Sequence, residues 1–165
     1  QKTVIESKIP AYILFMHFLK RGLINKHSNI EFASQNMKKG IAAEKLFQKI
    51  VPEAVDINSN FKMNNFDFTY DGLTIDVKYS SLLERRGCEY WNFKNSKADV
   101  IIAFLEREKG SELDKPYMLF IPTEAMVGVK KFHVTKVGNY FNSFQIQERE
   151  CSEILKNYAV LNREG

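Results

Sequence analysis

The sequence predicts one domain of α/β or α+β type, built around a single sheet with helices beside it. Three observations carry that prediction. Helical spacing of apolar residues ends at Pro52 and strand-like segments follow. VIIAFL (Val100 to Leu105) is a continuous apolar run, the pattern of a central strand buried on both faces. Between them, two alternating segments meet at Asp71-Gly72, a favoured two-residue hairpin turn.

Each element has its local reason. Pro10 suits the first turn of a helix running to about Leu23, with Gly22 marking its end. A second helix is expected from Ser34 or Asn36 to Val51, stopped by Pro52. Met37, Ile41, Phe47 and Val51 share one side of it, and Ala43, Leu46 and Ile50 widen that apolar arc. Gly40 and Glu44 fall inside the arc, one turn apart, while Lys38, Lys45 and Lys49 form a basic stripe on the other side. Strands are expected over Phe66–Tyr70, Leu73–Ser80, Tyr90–Phe93, Val100–Leu105, Tyr117–Ile121 and Val129–Val134. Arg107 to Pro116 reads as a polar loop, Thr123 as the cap of a short helix, and Glu148–Leu161 as a final amphipathic helix.

The 165 residues suffice for one domain with a real core, and 44% hydrophobic with 27% charged content is ordinary for a soluble protein. The longest apolar run, Ala11 to Leu19, is interrupted by His17 and is too short for a membrane span. Lys20 and Arg21 follow it instead of a signal-peptide cleavage site, so a cytoplasmic protein is expected. Cys88 and Cys151 form no CxxC pair, and His17, His27 and His133 lack ligand spacing, which argues against structural zinc. Residues 1–50 hold nine Lys/Arg against three Glu, while the remainder holds 15 basic against 17 acidic side chains. The basic third suggests a polyanionic partner or, equally, a solvated lysine-rich surface.

The hairpin concentrates the chemistry. Counting outward from the turn, Tyr70 faces Leu73, Thr69 faces Thr74, Phe68 faces Ile75 and Asp67 faces Asp76. Leu73, Ile75, Val77 and Tyr79 then share a core face, and Asp67, Thr69, Thr74, Asp76, Lys78 and Ser80 the other. Two carboxylates directly opposite each other repel. A divalent cation between them reverses the sign, because hard oxygen donors are what Mg²⁺ binds. Lys78, on the same face, would stabilise an attacking water or a phosphate. The alternative is a solvated Asp67–Lys78 ion pair of small worth.

Glu44 on a helix, Asp67 on a strand, and Asp76-Val77-Lys78 on the next strand resemble the PD-(D/E)XK nuclease superfamily. Its members include restriction endonucleases, some intron homing endonucleases and Holliday junction resolvases. The resemblance covers about residues 36–105: GIAAEKLF looks like the family's first core helix, IDVKYSS like its motif strand and NSKADVIIAF like the strand after it. Phe66 stands where the family's proline precedes the aspartate, and Asp76 replaces the more usual glutamate.

That resemblance implies an α/β fold with a restriction-endonuclease-like core, a central mixed β-sheet flanked by helices. It implies one nuclease domain over 1–165, with a core of about 36–121, an N-terminal helical segment of about 8–30 and a C-terminal extension of about 122–165. Asp67, Asp76 and the Val77 carbonyl would hold Mg²⁺, with Glu44 an auxiliary ligand, direct or through water. Mn²⁺ would substitute, and Ca²⁺ would bind without supporting cleavage. Lys78 would stand near the nucleophilic water, and Gly40 would permit close approach of the helix to its neighbours or to DNA. In a DNA-binding protein Lys38, Lys45, Lys49, Ser80, Arg85 and Arg86 would contact double-stranded DNA; the two arginines, in a loop after the motif strand, would equally serve to keep that surface soluble. The implied activity is site-specific endonuclease cleavage of restriction or homing type, by a homodimer or higher symmetric oligomer without membrane association. Junction resolution and catalytically silent nucleic-acid binding are the alternatives. Trp91, Tyr90 and Phe93 with Lys94 and Lys97 would touch nucleic acid by stacking and phosphate contacts or, more often for such aromatics, pack in the core or at its rim; Asp99 is expected at a strand entry and His133 in a structural role.

Overall fold

The computed structural model describes residues 31–57 and 65–164, so the helix expected from Pro10 lies outside the described residues. Helix α1 spans Glu31–Ile50. Ile41, Ala43, Phe47 and Val51 are buried, as the helical spacing predicts, with Leu46 and Ile50 packed at the margin. Its C-terminal turn is closed by the Gln48 side-chain amide, which donates to the carbonyls of Val51 and, at 2.8 Å, Ala54. The helix begins three residues before Ser34, the earlier of its two expected starts.

Six strands form the main sheet in the order β1-β2-β3-β6-β7-β9: Val55–Asp56, Phe68–Tyr70, Leu73–Ser80, Val100–Leu105, Tyr117–Pro122 and Gln145–Ile146. Neighbouring β3 and β6 run parallel and every other pair antiparallel, which makes the sheet mixed. Strands β4 (Leu83–Arg85), β5 (Cys88–Lys94) and β8 (Lys131–Val134) form a separate three-stranded antiparallel sheet.

All six residues of β6 are buried, because both faces of the main sheet are covered. On one face Val100, Ile102 and Phe104 meet α1 and the C-terminal helix α3 (Cys151–Glu164). On the other, Ile101, Ala103 and Leu105 meet Trp91, Phe93, Phe132 and Val134 of the small sheet and Phe141 of α2 (Asn139–Phe144). Trp91 and Phe93 are thus core residues, and the Trp91 indole N–H donates to the Glu106 carbonyl at 2.9 Å.

Several local expectations change. Arg85 and Arg86 lie in a second tight hairpin instead of a loop: Arg85 pairs with Cys88, and Arg86 and Gly87 both adopt positive φ, 52° and 77°. Thr123 caps nothing; its hydroxyl bonds the carbonyls of Ala98 and Asp99, and a single 3₁₀ turn follows over Thr123–Met126. Asp99 does sit at a strand entry, where its carboxylate accepts from the backbone N–H (2.9 Å) and hydroxyl (3.0 Å) of Thr74 and ties β6 to β3.

Candidate active site

The hairpin register is the one counted from Asp71-Gly72, with Tyr70, Thr69 and Phe68 opposite Leu73, Thr74 and Ile75. Both turn residues have positive φ, 48° and 86°, which fixes the register and makes glycine the suitable residue at position 72. At Asp67 the regular ladder stops. Its backbone N–H donates to the Ile75 carbonyl at 2.9 Å, although Ile75 is already the partner of Phe68. Two residues thus stand opposite one, the arrangement of a β-bulge. Asp67 therefore does not face Asp76 squarely across the strands. The bulge turns its carboxylate onto the edge of β3, where Oδ2 accepts the Val77 backbone N–H at 2.9 Å.

The bulge shapes the site. With β2 paired only to residues 73–75, the edge of β3 from Asp76 onward has no ladder partner on that side among the described residues. Alternation along the strand directs the Val77 carbonyl to the same edge as its N–H. Asp76, Lys78 and Ser80 lie on the face shared with Ile101, Ala103 and Leu105. Glu44 approaches from α1, on the opposite face.

Glu44 and Asp76 are each only 8% exposed, an unusual condition for carboxylates. The Lys78 ammonium lies 2.9 Å from Asp76 Oδ2. Burial holds the Asp67 carboxyl well above its ordinary range, and the charges of Glu44 and Asp76 push it further up, against the stabilising Val77 N–H. Three acids are therefore felt at one point. Among the described residues, no three Glu, Asp, His or Cys side chains gather into a metal cage. The oxygens that could face a cation here are those of the two aspartates and the Val77 carbonyl, and the Glu44 charge acts on Asp67.

A cleft of about 460 Å³ opens beside this edge, lined by Asn36, Lys39 and Gly40 of α1, by Val77 to Ser81, and by Leu83 and Asn92. Among the described residues, a Cβ at Gly40 would meet nothing within 4 Å, so this glycine serves no close helix packing to them and leaves open space over the cleft. Lys39 reaches in from the side, its ammonium 3.4 Å from Ser81 Oγ and 5.8 Å from the centre of the Tyr79 ring. The basic stripe missed Lys39, whose signal was its place one turn before Ala43, inside the apolar arc.

Lys38, Lys45 and Lys49 are exposed on the solvent side of α1. Ser80 is 5% exposed, and its hydroxyl contacts both the N–H (3.1 Å) and C=O (3.0 Å) of Asn92. It ties β3 to β5 and does not face solvent. Arg85 and Arg86 are exposed at the end of the second hairpin.

Glu106, which the sequence did not single out, is 4% exposed. Its carboxylate accepts from Leu82 N–H (3.0 Å), Glu112 N–H (2.9 Å) and the Tyr79 hydroxyl (3.3 Å). Burial alone would raise this carboxyl, but those donors outweigh it and hold it below its ordinary value.

The chain superposes on the structure of a bacterial homing endonuclease, I-Ssp6803I, with a TM-score of 0.52 and 15% identity, over 80% of this chain and 99% of that one. The two share a fold. Compared with protein-family models and with curated proteins by sequence, the chain matches none. A mixed central sheet flanked by helices is the architecture expected, and the acidic hairpin lies at an open edge of its central strand. No described helix is long and apolar enough to cross a membrane.

Proposed function

We propose that this chain is a Mg²⁺-dependent DNA endonuclease of homing or restriction type, hydrolysing phosphodiester bonds at the β2–β3 edge. One observation carries the reading: Asp67, Asp76 and Glu44 are felt together at a half-open strand edge, with Asp67 driven toward protonation. A protein gains nothing in stability from packing acids this way. A hard divalent cation would offset the repulsion and burial that disfavour the charged Asp67, so the donor set fits Mg²⁺. The shared fold with a bacterial homing endonuclease supports the same reading.

In this reading Asp67, Asp76 and the Val77 carbonyl would hold the ion, with Glu44 an auxiliary ligand, direct or through water. When bound, the ion supplies Lewis-acid stabilisation of charge developing on the phosphate. The protein does the rest. The Val77 N–H fixes the Asp67 carboxylate, and the bulge sets its direction. Lys78, held by Asp76 at 2.9 Å, places a positive charge where an attacking water and the scissile phosphate meet. Lys39 offers a second cation at the cleft wall for a neighbouring phosphate. Cutting both strands of a duplex needs two such sites, which a homodimer or higher symmetric assembly provides.

The test has two readouts. Plasmid DNA should be nicked or linearised in Mg²⁺ and untouched in chelator. Independently, Asp67→Asn keeps an acceptor for the Val77 N–H and removes a charge. In chelator at pH 8 it should melt higher than the parent, by some tenths of a kcal/mol or more, and lose the parent's rise on adding Ca²⁺. The sign follows from the raised folded-state carboxyl: stability falls as pH rises above the ordinary carboxylate value and through the raised one. A parent with no Ca²⁺ response and no cleavage would sink the proposal.

A further inference from the structure

We propose that the solvent face of the small β4-β5-β8 sheet is the surface that reads duplex DNA beside the cut. This inference rests on the endonuclease reading above and assigns it a recognition surface.

The face follows from register. Even-numbered residues of β5 point away from the core, since Trp91 and Phe93 point in. Their directly opposite partners share that outer face: Leu83 with Tyr90, Arg85 with Cys88, Asn92 with His133 and Lys94 with Lys131. Every charged side chain among them is basic. The acids of the same ribbon, Glu84 and Glu89, face each other on the reverse side, where Lys136 pairs with Glu89 at 3.2 Å. The two faces of one small sheet thus carry charge of opposite sign.

Lys94 and Lys131 are the sharper observation. Both are exposed, and they stand directly across from each other, where like charges repel. A polyanion laid across the strands relieves that repulsion. Between this pair and Arg85 lie Asn92, His133, Tyr90 and the exposed Leu83. The Tyr90 and His133 rings are tilted against each other with centres 4.9 Å apart, and His133 Nδ1 lies 3.0 Å from Asn92 Oδ1. From Cys88 to Lys94 the strand extends about 20 Å, roughly six base pairs of groove. At each level only two strands pair, β4 with residues 88–90 and β8 with residues 91–94, and the major groove admits a two-stranded ribbon.

Continuity with the cleft identifies the occupant. Leu83 and Asn92 belong to this sheet and also line the cleft that holds Lys78. The buried Ser80 hydroxyl, two residues from Lys78, grips the Asn92 backbone on both its N–H and its C=O. A duplex seated on the face is thereby fixed relative to the catalytic edge. Lys94 and Lys131 take phosphates, and Arg85, on the projecting hairpin, faces base edges.

The experiment uses the full chain, a labelled 30-base-pair mixed-sequence duplex in Ca²⁺, and a salt series. Lys94→Ala/Lys131→Ala should fold normally, since both side chains are exposed and repel. Its affinity should fall roughly tenfold at 0.15 M salt, and the log–log salt slope should drop by about two units. Arg85→Ala should keep most of its affinity and bind a less uniform set of sequences from a randomised pool. Unchanged affinity and slope in the double variant, with normal plasmid cleavage, overturns this surface while the nuclease stands. A change in sedimentation mass alone overturns it in favour of an interface between copies. A parent that neither binds nor cuts duplex DNA overturns both readings.

Discussion

Two hairpins in this chain are built on the same turn and put to opposite uses. Asp71-Gly72 and Arg86-Gly87 both place two residues at positive φ, and both fix a two-residue register. The first hairpin enters the main sheet, and its second strand is buried along most of its length. The second stands out from the core, with all of β4 exposed. Burial decides what their charges do. In water, Glu84 opposite Glu89 costs little and a lysine settles part of it. At the main-sheet edge, burial and then the charges of Glu44 and Asp76 push the Asp67 carboxyl up. Turn chemistry sets geometry, and surroundings turn geometry into reactivity.

The comparison breaks most decisively in catalysis. Asp76→Ala should lower plasmid cleavage by on the order of 10²–10³-fold or more, while Glu84→Ala or Glu89→Ala should leave the rate within about twofold. Equal losses from both hairpins, measured as first-order cleavage rates, would erase the distinction drawn here.

Next is the joint between the hairpins. Leu82 lies between them, and its N–H is held by Glu106. Glu106→Gln should cost about 2–3 kcal/mol in urea unfolding at pH 7, because it weakens hydrogen bonds to a charged acceptor. Its folded-state carboxyl is held below the ordinary 4.5, so the stabilisation is present above that value. It is lost as pH falls through the lowered one. The gap between parent and variant should therefore narrow as the pH is taken below 4.

A smaller effect tests the cleft. Gly40→Ala places a methyl where no described residue lies within 4 Å and restores helix propensity, so the protein should gain about 1 kcal/mol. If DNA occupies the space over Gly40, cleavage should fall despite the added stability. A more stable and fully active variant would empty that space of any role.

The smallest concerns the outer lysines of α1. Lys49→Ala should change the salt slope of binding by about 0.9 if that side touches a phosphate, and by nothing if the stripe is merely solvated. Set beside Lys94 and Lys131, it ranks the two basic surfaces.

Much of the fold was legible because its signals are local. The apolar arc of α1, the VIIAFL strand and the Asp71-Gly72 turn needed no tertiary knowledge. Glu44, Asp67, Asp76 and Lys78 were marked by order and alternation. The bulge at Asp67 was not, because no residue there demands it and it is decided by how β2 meets β3. Ser80 looked like a surface serine, since alternation gives its face without revealing that the small sheet roofs it. Glu106 follows an apolar strand directly, but its partners Leu82, Glu112 and Tyr79 are scattered in sequence. The small sheet itself was hidden for the same reason, because β8 joins β5 only after two intervening main-sheet strands.

The parallel pairing of β3 with β6 has a consequence for how the chain finds its shape. Parallel neighbours need a long connection, usually helical, and ordering such a gap is a slow part of folding. Here the β4–β5 hairpin fills the gap. An isolated hairpin zips in about 1–10 μs. Once formed, it brings Leu82 and Lys94 onto a compact unit, and the remaining closure spans fewer free residues. Gly87, at positive φ in that turn, is then a kinetic residue as well as a geometric one. A side chain there would slow the search for the central sheet while changing little in the sheet itself.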